Sequence, residues 1–378
     1  MVKSDMVRAR DCAVYDADGR VYTDFEAGVW CANLGHGHPR IVDVLCRQAE
    51  TLAHVGNRYT NDLAEKASVA VLSALRWDDG RCVFLSSGSE AVEFGVRAAR
   101  RATGKPLLLS LSGAYLSAYG SAGEQSKSEW HRLDWSGCES CPSADECDPE
   151  CDRFREIPFE RVGGFVFDSG NMHGTVRFPP DGLVRRIAER VRESGGLLVV
   201  NEITTGMGRT GKWFGFEHYG LSPDIVALGK GLGNGYPVSC VALVPPAAEH
   251  VESPGFRYVQ SHQNDPIACA VATEVIAVIR EEELVERSRH VGARFLDRLQ
   301  SLARAAGAVR EARGRGLMIV LELNTDRASA ASAYRALLDR GFLVGMNEEF
   351  NLIRFYPPLT IGESAIDGLL DALPKALR

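Results

Sequence analysis

Apolar residues in the middle of the chain fall into short unbroken runs: Cys82–Leu85, Pro106–Ser110, Gly164–Phe167, Leu197–Asn201, Asp224–Leu228 and Cys240–Val244. Each is too short for a helix and is bounded by polar or glycine-containing segments, the signature of a buried strand. Between them, Ser89–Thr103 and Asp181–Ser194 repeat apolar residues at helical spacing. Alternation of this kind predicts an α/β fold with a mainly parallel sheet and helices on both faces. Helical patterns continue through Pro266–Glu283 and Leu284–Ala306, and strands near Met318–Leu323 and Leu352–Tyr356 close the chain as a smaller α+β part. Arg20–Phe25 reads as a strand of that smaller part. The expected organisation is therefore an N-terminal segment 1–45 contributing to a small domain, a large domain 46–265 and a C-terminal small domain 266–378. Ser126–Glu160 is polar, rich in cysteine and poor in periodic apolar residues, so 126–160 is expected to be an insertion in the large domain.

The totals narrow the function classes. At 378 residues, 45% of them hydrophobic and 25% charged, the chain has the composition of an ordinary soluble globular protein with a large core. A net charge of -7 argues against nucleic acid as the main partner and offers no basic face to an anionic membrane. No apolar run is long enough to span a bilayer, and the polar start Met1–Asp5 is no signal peptide, which makes a cytoplasmic location the expectation.

Among 43 basic residues only seven are lysine, and Lys230 differs from the rest. It stands in Gly229-Lys230-Gly231 directly after the apolar run Ile225–Leu228, where glycines let a bulky ligand approach the backbone. An amine at the mouth of a buried strand loses charge by desolvation and becomes a nucleophile able to form a Schiff base. For an isolated Gly-Lys-Gly, a surface lysine in a turn would be the better reading. Ser86–Glu90 joins a strand to a helix start and can cradle a phosphate, although a plain N-cap accounts for it equally. Asn201 and Glu202 lie at the C-terminal end of a strand, where open α/β sheets bind ligands. Arg354, within an apolar strand, suits bidentate recognition of a carboxylate, with a structural ion pair as the even alternative.

Asp24–Gly28 with Asn33–Pro39, then Ser87–Ala91, Asn201–Gly211, Pro223–Ile225, Gly229–Gly233, Arg315–Met318 and Arg354–Leu359 together resemble the class III (ornithine/4-aminobutyrate type) pyridoxal-phosphate (PLP) aminotransferases, in the family's order. The resemblance runs from about residue 12 to the C-terminus and leaves out the cysteine-rich insertion. It implies a fold-type I PLP-dependent transferase, a homodimer with shared active sites. It also implies transfer of an amino group between an amino acid or amine and a 2-oxo acid through a Lys230 Schiff base. By the same resemblance Gly88 and Ser89 hold the cofactor phosphate, Tyr115 stacks on the ring, Asn201 and Thr204 join the cofactor site, and Ser261 reaches the phosphate across the dimer. Arg354 matches the family's arginine for a substrate carboxylate, and His173 falls about where the family's second acidic residue borders the same pocket; Trp30, just before the Asn33–Pro39 loop, reads equally as a lining residue of that pocket or as a core aromatic.

Three positions depart from the family. Asn201 replaces an aspartate whose charge keeps the ring nitrogen protonated, and Glu202 cannot substitute because the next residue on a strand faces the other way. Slower transamination, a lyase or racemase/epimerase chemistry, or compensation elsewhere in the pocket are the readings left open; a cofactor- or metal-binding scaffold without catalysis is disfavoured by Lys230. Asp168 and His173 stand where the family carries Glu-Pro and a later acidic residue, which argues against an ornithine-like donor. Tyr115-Leu116-Ser117 replaces Tyr-His-Gly. Finally, the Cys138-x2-Cys141-x5-Cys147-x3-Cys151 spacing lies outside the family pattern and points to a metal, structural zinc in preference to an iron–sulfur cluster, with reduced unliganded thiols as the plain alternative.

Overall fold

The computed structural model describes residues 4–56, 58–170, 174–305 and 307–377. In chain order its strands are β1 (Met6–Arg10), β2 (Ala13–Asp16) and β3 (Val21–Asp24), then β4 (Arg81–Leu85), β5 (Leu107–Leu111), β6 (Trp130–Leu133), β7 (Val162–Asp168), β8 (Leu197–Asn201), β9 (Ile225–Leu228) and β10 (Ser239–Leu243). β11 (Val309–Arg315), β12 (Met318–Leu323), β13 (Phe342–Leu343), β14 (Gly345–Asn347) and β15 (Leu352–Phe355) follow.

The large sheet has the order β4-β10-β9-β8-β7-β5-β6. β10 runs antiparallel to both neighbours, and the other adjacent pairs are parallel. The C-terminal ends of β4, β5, β7, β8 and β9 therefore share one edge, the edge on which open α/β sheets bind ligands. Continuous apolar runs make this possible: β5, β7, β9 and β10 are buried along their whole length, as strands covered by helices on both faces must be.

Helix Gly88–Thr103 lies across this sheet and buries Val92, Val96 and Phe94, the last edge-on to Phe256 and Tyr258. Gly95 sets the approach, because a Cβ there would sit 3.2 Å from Ile225 Cγ2 and 3.4 Å from Val199 Cγ1. Truncating Ile225 to Ala in this contact would cost about 2–5 kcal/mol. The helix begins with a capping box: Ser87 Oγ accepts from the Glu90 amide, and Glu90 Oε2 accepts from the amides of Ser86 and Ser87.

Two smaller sheets complete the molecule. β1, β2 and β3 form an antiparallel meander, and β3 pairs in parallel with β13 from the far end of the chain. The second has the order β11-β12-β15-β14. Phe25 ties the two together, packing edge-on against Phe342 and Phe355 at centroid distances of 6.1 and 6.3 Å.

Two strands lie outside the expected set. The segment 126–160 is not all insertion: Trp130–Leu133 is β6, paired in parallel with β5 at the sheet edge, and Phe154, Ile157 and Phe159 are core residues. β11 was not foreseen, since Arg310, Glu311, Arg313 and Arg315 mask its strand character. The helix Asp181–Glu193 and the helices Pro266–Glu281 and Leu284–Ala305 match the expected patterns closely. Among the described residues no helix is long and apolar enough to cross a membrane.

Candidate active site

Three loops meet beyond the C-terminal ends of β4, β8 and β9. The turn at Gly88 and the turn at Gly229 both close on Ile203: a Cβ at Gly88 would stand 2.8 Å from Ile203 Cγ2, one at Gly229 would stand 3.1 Å from Ile203 Cδ1, and Gly229 also faces Gly88 Cα at 3.5 Å. Only glycine fits at either turn without displacing that isoleucine. The open first turn of helix Gly88–Thr103 is thus brought against the segment that carries Lys230.

Lys230 adopts φ 44°, a left-handed conformation that costs a residue with a Cβ about 1–2 kcal/mol and aims its side chain back into the crevice. Its Nζ donates to Thr204 Oγ1 at 3.2 Å and lies 4.7 Å from the centre of the Trp30 ring. Burial depresses its pKa below the ordinary lysine value of 10.5; Cys31 and Asp168 oppose the shift and Arg354 adds to it. An amine so placed is neutral over a wider pH range than a solvated lysine, as a nucleophile or proton acceptor must be.

Trp30 owes its position to an unusual backbone. Ala27, Gly28, Val29 and Trp30 have φ of 48°, 58°, 60° and 71°, a left-handed turn built mostly from residues that disfavour it. The ring then stacks on Tyr356, 4.8 Å between centroids and 24° between planes, and has Lys230 and the Arg354 guanidinium (5.0 Å) over it. Trp30, Lys230 and Arg354 are therefore parts of one pocket.

Arg354 is already paired. Its Nη2 donates to Glu26 Oε1 at 3.1 Å, and both side chains are largely buried. The space for this pair comes from Gly345, the residue opposite Arg354 on β14, where a Cβ would press on Glu26 Oε1 and come within 2.8 Å of Arg354 Nε. Arg354 Nε itself is buried without a hydrogen-bond partner among the described residues. Burial raises the Glu26 pKa and Arg354 pulls it back down. Sequence reading missed Glu26. The signal was an acidic residue between the buried Phe25 and Ala27, but nothing local tells that it meets a strand more than three hundred residues away.

Asn201 is buried at the end of β8. Its Oδ1 accepts from the Ile203 amide and its Nδ2 donates to the Tyr115 carbonyl, each at 3.1 Å, so the amide orientation is fixed by partners that cannot exchange roles. One amide hydrogen and one oxygen lone pair remain for a ligand. Asp168 is the register partner of Asn201 on β7, which puts both side chains on the same sheet face. Glu202 faces the other way, as expected, and is consumed structurally: Ser169 Oγ, Thr205 Oγ1 and the amides of Gly215 and Phe216 all donate to it within 2.8 Å. Arg209 is a second structural residue, fully buried, bonding Asn33 Oδ1 at 2.7 Å and the carbonyls of Leu317 and Pro357.

Other expected residues fall as follows. Ser89 Oγ accepts from the Ala118 amide at 2.9 Å, which draws the Tyr115 loop over the helix start. Tyr115 is 43% exposed at the rim of the crevice. Ser261 is exposed in the turn before helix Pro266–Glu281, and no hydrogen bond joins it to Lys230 among the described residues. His173 lies outside the described residues. Cys138, Cys141, Cys147 and Cys151 are remote from this pocket and line one small cavity of their own. Among the described residues, the group of three or more potential metal ligands drawn within 4.8 Å of one another is His54, His262 and Asp265, where both imidazoles bond the Asp265 carboxylate at 2.5 Å. The four thiols are spread more widely.

These features suit a cofactor with an aldehyde, an anionic tail and an aromatic ring nitrogen: a buried amine whose pKa is lowered by desolvation, a helix N-terminus cleared by glycine, and a buried amide with hydrogen-bonding capacity left over. The comparisons agree. The family model for aminotransferase class-III matches residues 1–377. An acetylornithine aminotransferase of Methanothermobacter thermautotrophicus is 33% identical over 372 residues, covering 96% of this chain and 91% of its own. A leucine/methionine racemase of Thermococcus litoralis is 32% identical over 409 residues, covering 98% of this chain and 90% of its own. Among solved structures, an ornithine aminotransferase of Toxoplasma gondii with PLP at partial occupancy in its active site superposes with TM-score 0.86 at 26% identity, over 100% of this chain and 90% of the other.

Proposed function

The chain belongs to the class-III aminotransferase family, PLP-dependent enzymes of fold type I that move an amino group between a donor and a 2-oxo acid, and from that premise we propose that the Lys230 crevice is its active site and that its substrates include a carboxylate read by Arg354. The observation that carries the proposal is the desolvated Lys230 amine, 3.2 Å from Thr204, set against the glycine-cleared helix start at Gly88.

Each residue then has a task. Lys230 would hold the cofactor through its Nζ, and the same amine, when free, would accept the proton from substrate Cα. The amides of Gly88 and Ser89 bind the phosphate, Tyr115 and Asn201 border the ring, and Trp30 forms the pocket wall next to the substrate. Bound PLP supplies the electron-withdrawing ring that makes the Cα proton acidic. Asn201 contributes hydrogen bonds but no charge, and Asp168, on the same face one strand over, supplies the nearby negative charge. The Glu26–Arg354 pair must open for a carboxylate to bind, so Glu26 holds the guanidinium in place between substrates.

Relatives named acetylornithine aminotransferase favour an amino donor that carries a carboxylate, the group that Arg354 would read. Asn201 and the racemase relative support racemisation or elimination on the same scaffold as the second reading. A donor screen separates them: conversion of the cofactor to its pyridoxamine form supports transamination, whereas a racemised or eliminated product without that conversion supports the alternative.

The exposed rim of the crevice, with Val29, Tyr115, Tyr119 and Val259 in solvent on the single chain, supports a homodimer in which a second copy covers it and brings its own Ser261 turn. Light scattering of the purified protein at twice the chain mass is the expected result. A cytoplasmic location and a metal at the four cysteines, zinc in preference to iron–sulfur, complete the reading. Reduced thiols in this number are most at home in a reducing compartment.

A further inference from the structure

Between 136 and 153 the chain contains no buried residue, yet it follows a defined path with short turns at Cys138–Ser140 and after Cys141. Hydrophobic burial cannot hold such a stretch, because there is almost no apolar area in it to remove from water. Its four cysteines, Cys138, Cys141, Cys147 and Cys151, instead line one cavity of about 50 Å³ whose remaining wall includes Asp134, Asp148, Pro180 and Leu183. That is room for one ion and its ligand atoms, and four sulfurs along one wall suit a closed structural zinc site. Binding would draw the four sulfurs inward and release their protons.

The far wall of this cavity gives the metal a consequence. The carbonyls of Ala144 and Asp145 press on Gly182, where a Cβ would stand 2.6 Å from Ala144 O, and Glu139 pairs with Arg177 at 3.3 Å. An exposed pair of that kind contributes little by itself, so the packing against Pro180, Gly182 and Leu183 does most of the bracing. The segment Gly174–Pro180 then leads directly to the substrate side of the active site. Val176 and Phe178 pack in one apolar cluster with Trp30 and Tyr356, and a Cβ at Gly174 would stand 2.5 Å from Arg354 Nη1.

Resting on the metal reading of these cysteines, we infer that a zinc ion held by Cys138, Cys141, Cys147 and Cys151 braces the Gly174–Pro180 segment, and through it the Trp30–Arg354 wall that receives the substrate carboxylate. The cofactor side of the pocket is built on β4, β8 and β9, and the brace bears on the substrate side, at Val176, Phe178 and Arg354. Loss of the metal should therefore weaken substrate binding and leave cofactor binding in place.

The test uses the holoenzyme purified without chelators under anaerobic conditions. Metal analysis should give about one zinc per chain. Stripping the metal should raise the amino-donor KM by about fivefold or more, the size of an ordinary coupling between sites, with kcat and the visible absorbance of bound PLP little changed and with recovery on adding zinc back. Less than about half an equivalent of metal, or iron with acid-labile sulfide, overturns the zinc site itself. Full zinc with an unchanged KM after stripping overturns the brace while the metal site stands. Because stripping can unfold the enzyme, Pro180→Gly in zinc-loaded protein is the second arm: it loosens the link and leaves the ligands. An elevated donor KM at full zinc content supports the brace, and an unchanged KM contradicts it.

Discussion

The crevice at the strand ends and the cysteine-rich insertion solve the same problem, holding a few side chains in a fixed constellation, by opposite means. In the crevice, Lys230, Asn201 and the Gly88 turn are the ends of elements already fixed by the core, which holds their geometry even where, as at Lys230, the backbone is strained. Their neighbours are buried apolar strands, and a single truncation there is felt as a cavity. The insertion has no core residues between 136 and 153 and only its thiols in common. A site built from a scaffold tolerates the absence of its ligand; a site built from a loop needs the ligand to exist.

Replacing Lys230 by Ala should have the largest effect, because it removes both the covalent anchor and the Cα proton acceptor. Donor turnover should fall on the order of a thousandfold or more, with the fold intact by circular dichroism. A variant that keeps a tenth of its activity would contradict the assignment. The matching change in the insertion, Cys147→Ser, should release the metal and expose 136–153 to limited proteolysis without moving the cooperative melting of the sheet. Loss of the whole fold would show that the two regions are not independent.

On the proposed placement of Asn201 at the cofactor ring, Asn201→Asp would put a charge beside the ring nitrogen. One pKa unit there is worth about 1.4 kcal/mol, so an increase in kcat of about tenfold is the expected scale, measured in single-turnover half-reactions. No change would mean that Asp168 already supplies the needed charge, and Asp168→Asn should then lose what Asn201→Asp failed to gain.

Much of the crevice was legible in the chain because its residues are sequence-local: a strand end, a glycine turn and a helix cap lie within five or six residues of one another. The β-strands of the large sheet were legible for the same reason, as unbroken apolar runs. What escaped is what depends on distant packing. Glu26 meets Arg354 only because Gly345 leaves room on the neighbouring strand. The left-handed turn at Ala27–Trp30 contains one glycine in four residues and carries no turn signature. β6 was hidden by the His131-Arg132 pair in its middle, and β11 by arginines that bond Glu322 and the carbonyls of Thr175 and Val176.

A smaller effect is expected at Glu26. Glu26→Gln leaves the Arg354 guanidinium without its counter-charge, so the KM for a 2-oxo acid should fall by about threefold to fivefold, in line with the modest net worth of such pairs. A higher KM would mean that Glu26 positions the arginine more than it masks it.

The pH dependence of cofactor capture is subtler still. Burial lowers the Lys230 pKa, so the neutral amine is more abundant at any pH below 10.5 than for a solvated lysine. The rate at which PLP-free enzyme takes up PLP should rise with pH through a midpoint below that value, and Thr204→Val, which removes the hydroxyl bonded to Nζ, should shift the midpoint only slightly.

The most direct test is borohydride reduction of the PLP-loaded protein followed by peptide mapping. The account expects one reduced phosphopyridoxyl group per chain, on the peptide that contains Lys230. A label on any other lysine, or no label on protein that has been offered PLP, would contradict it.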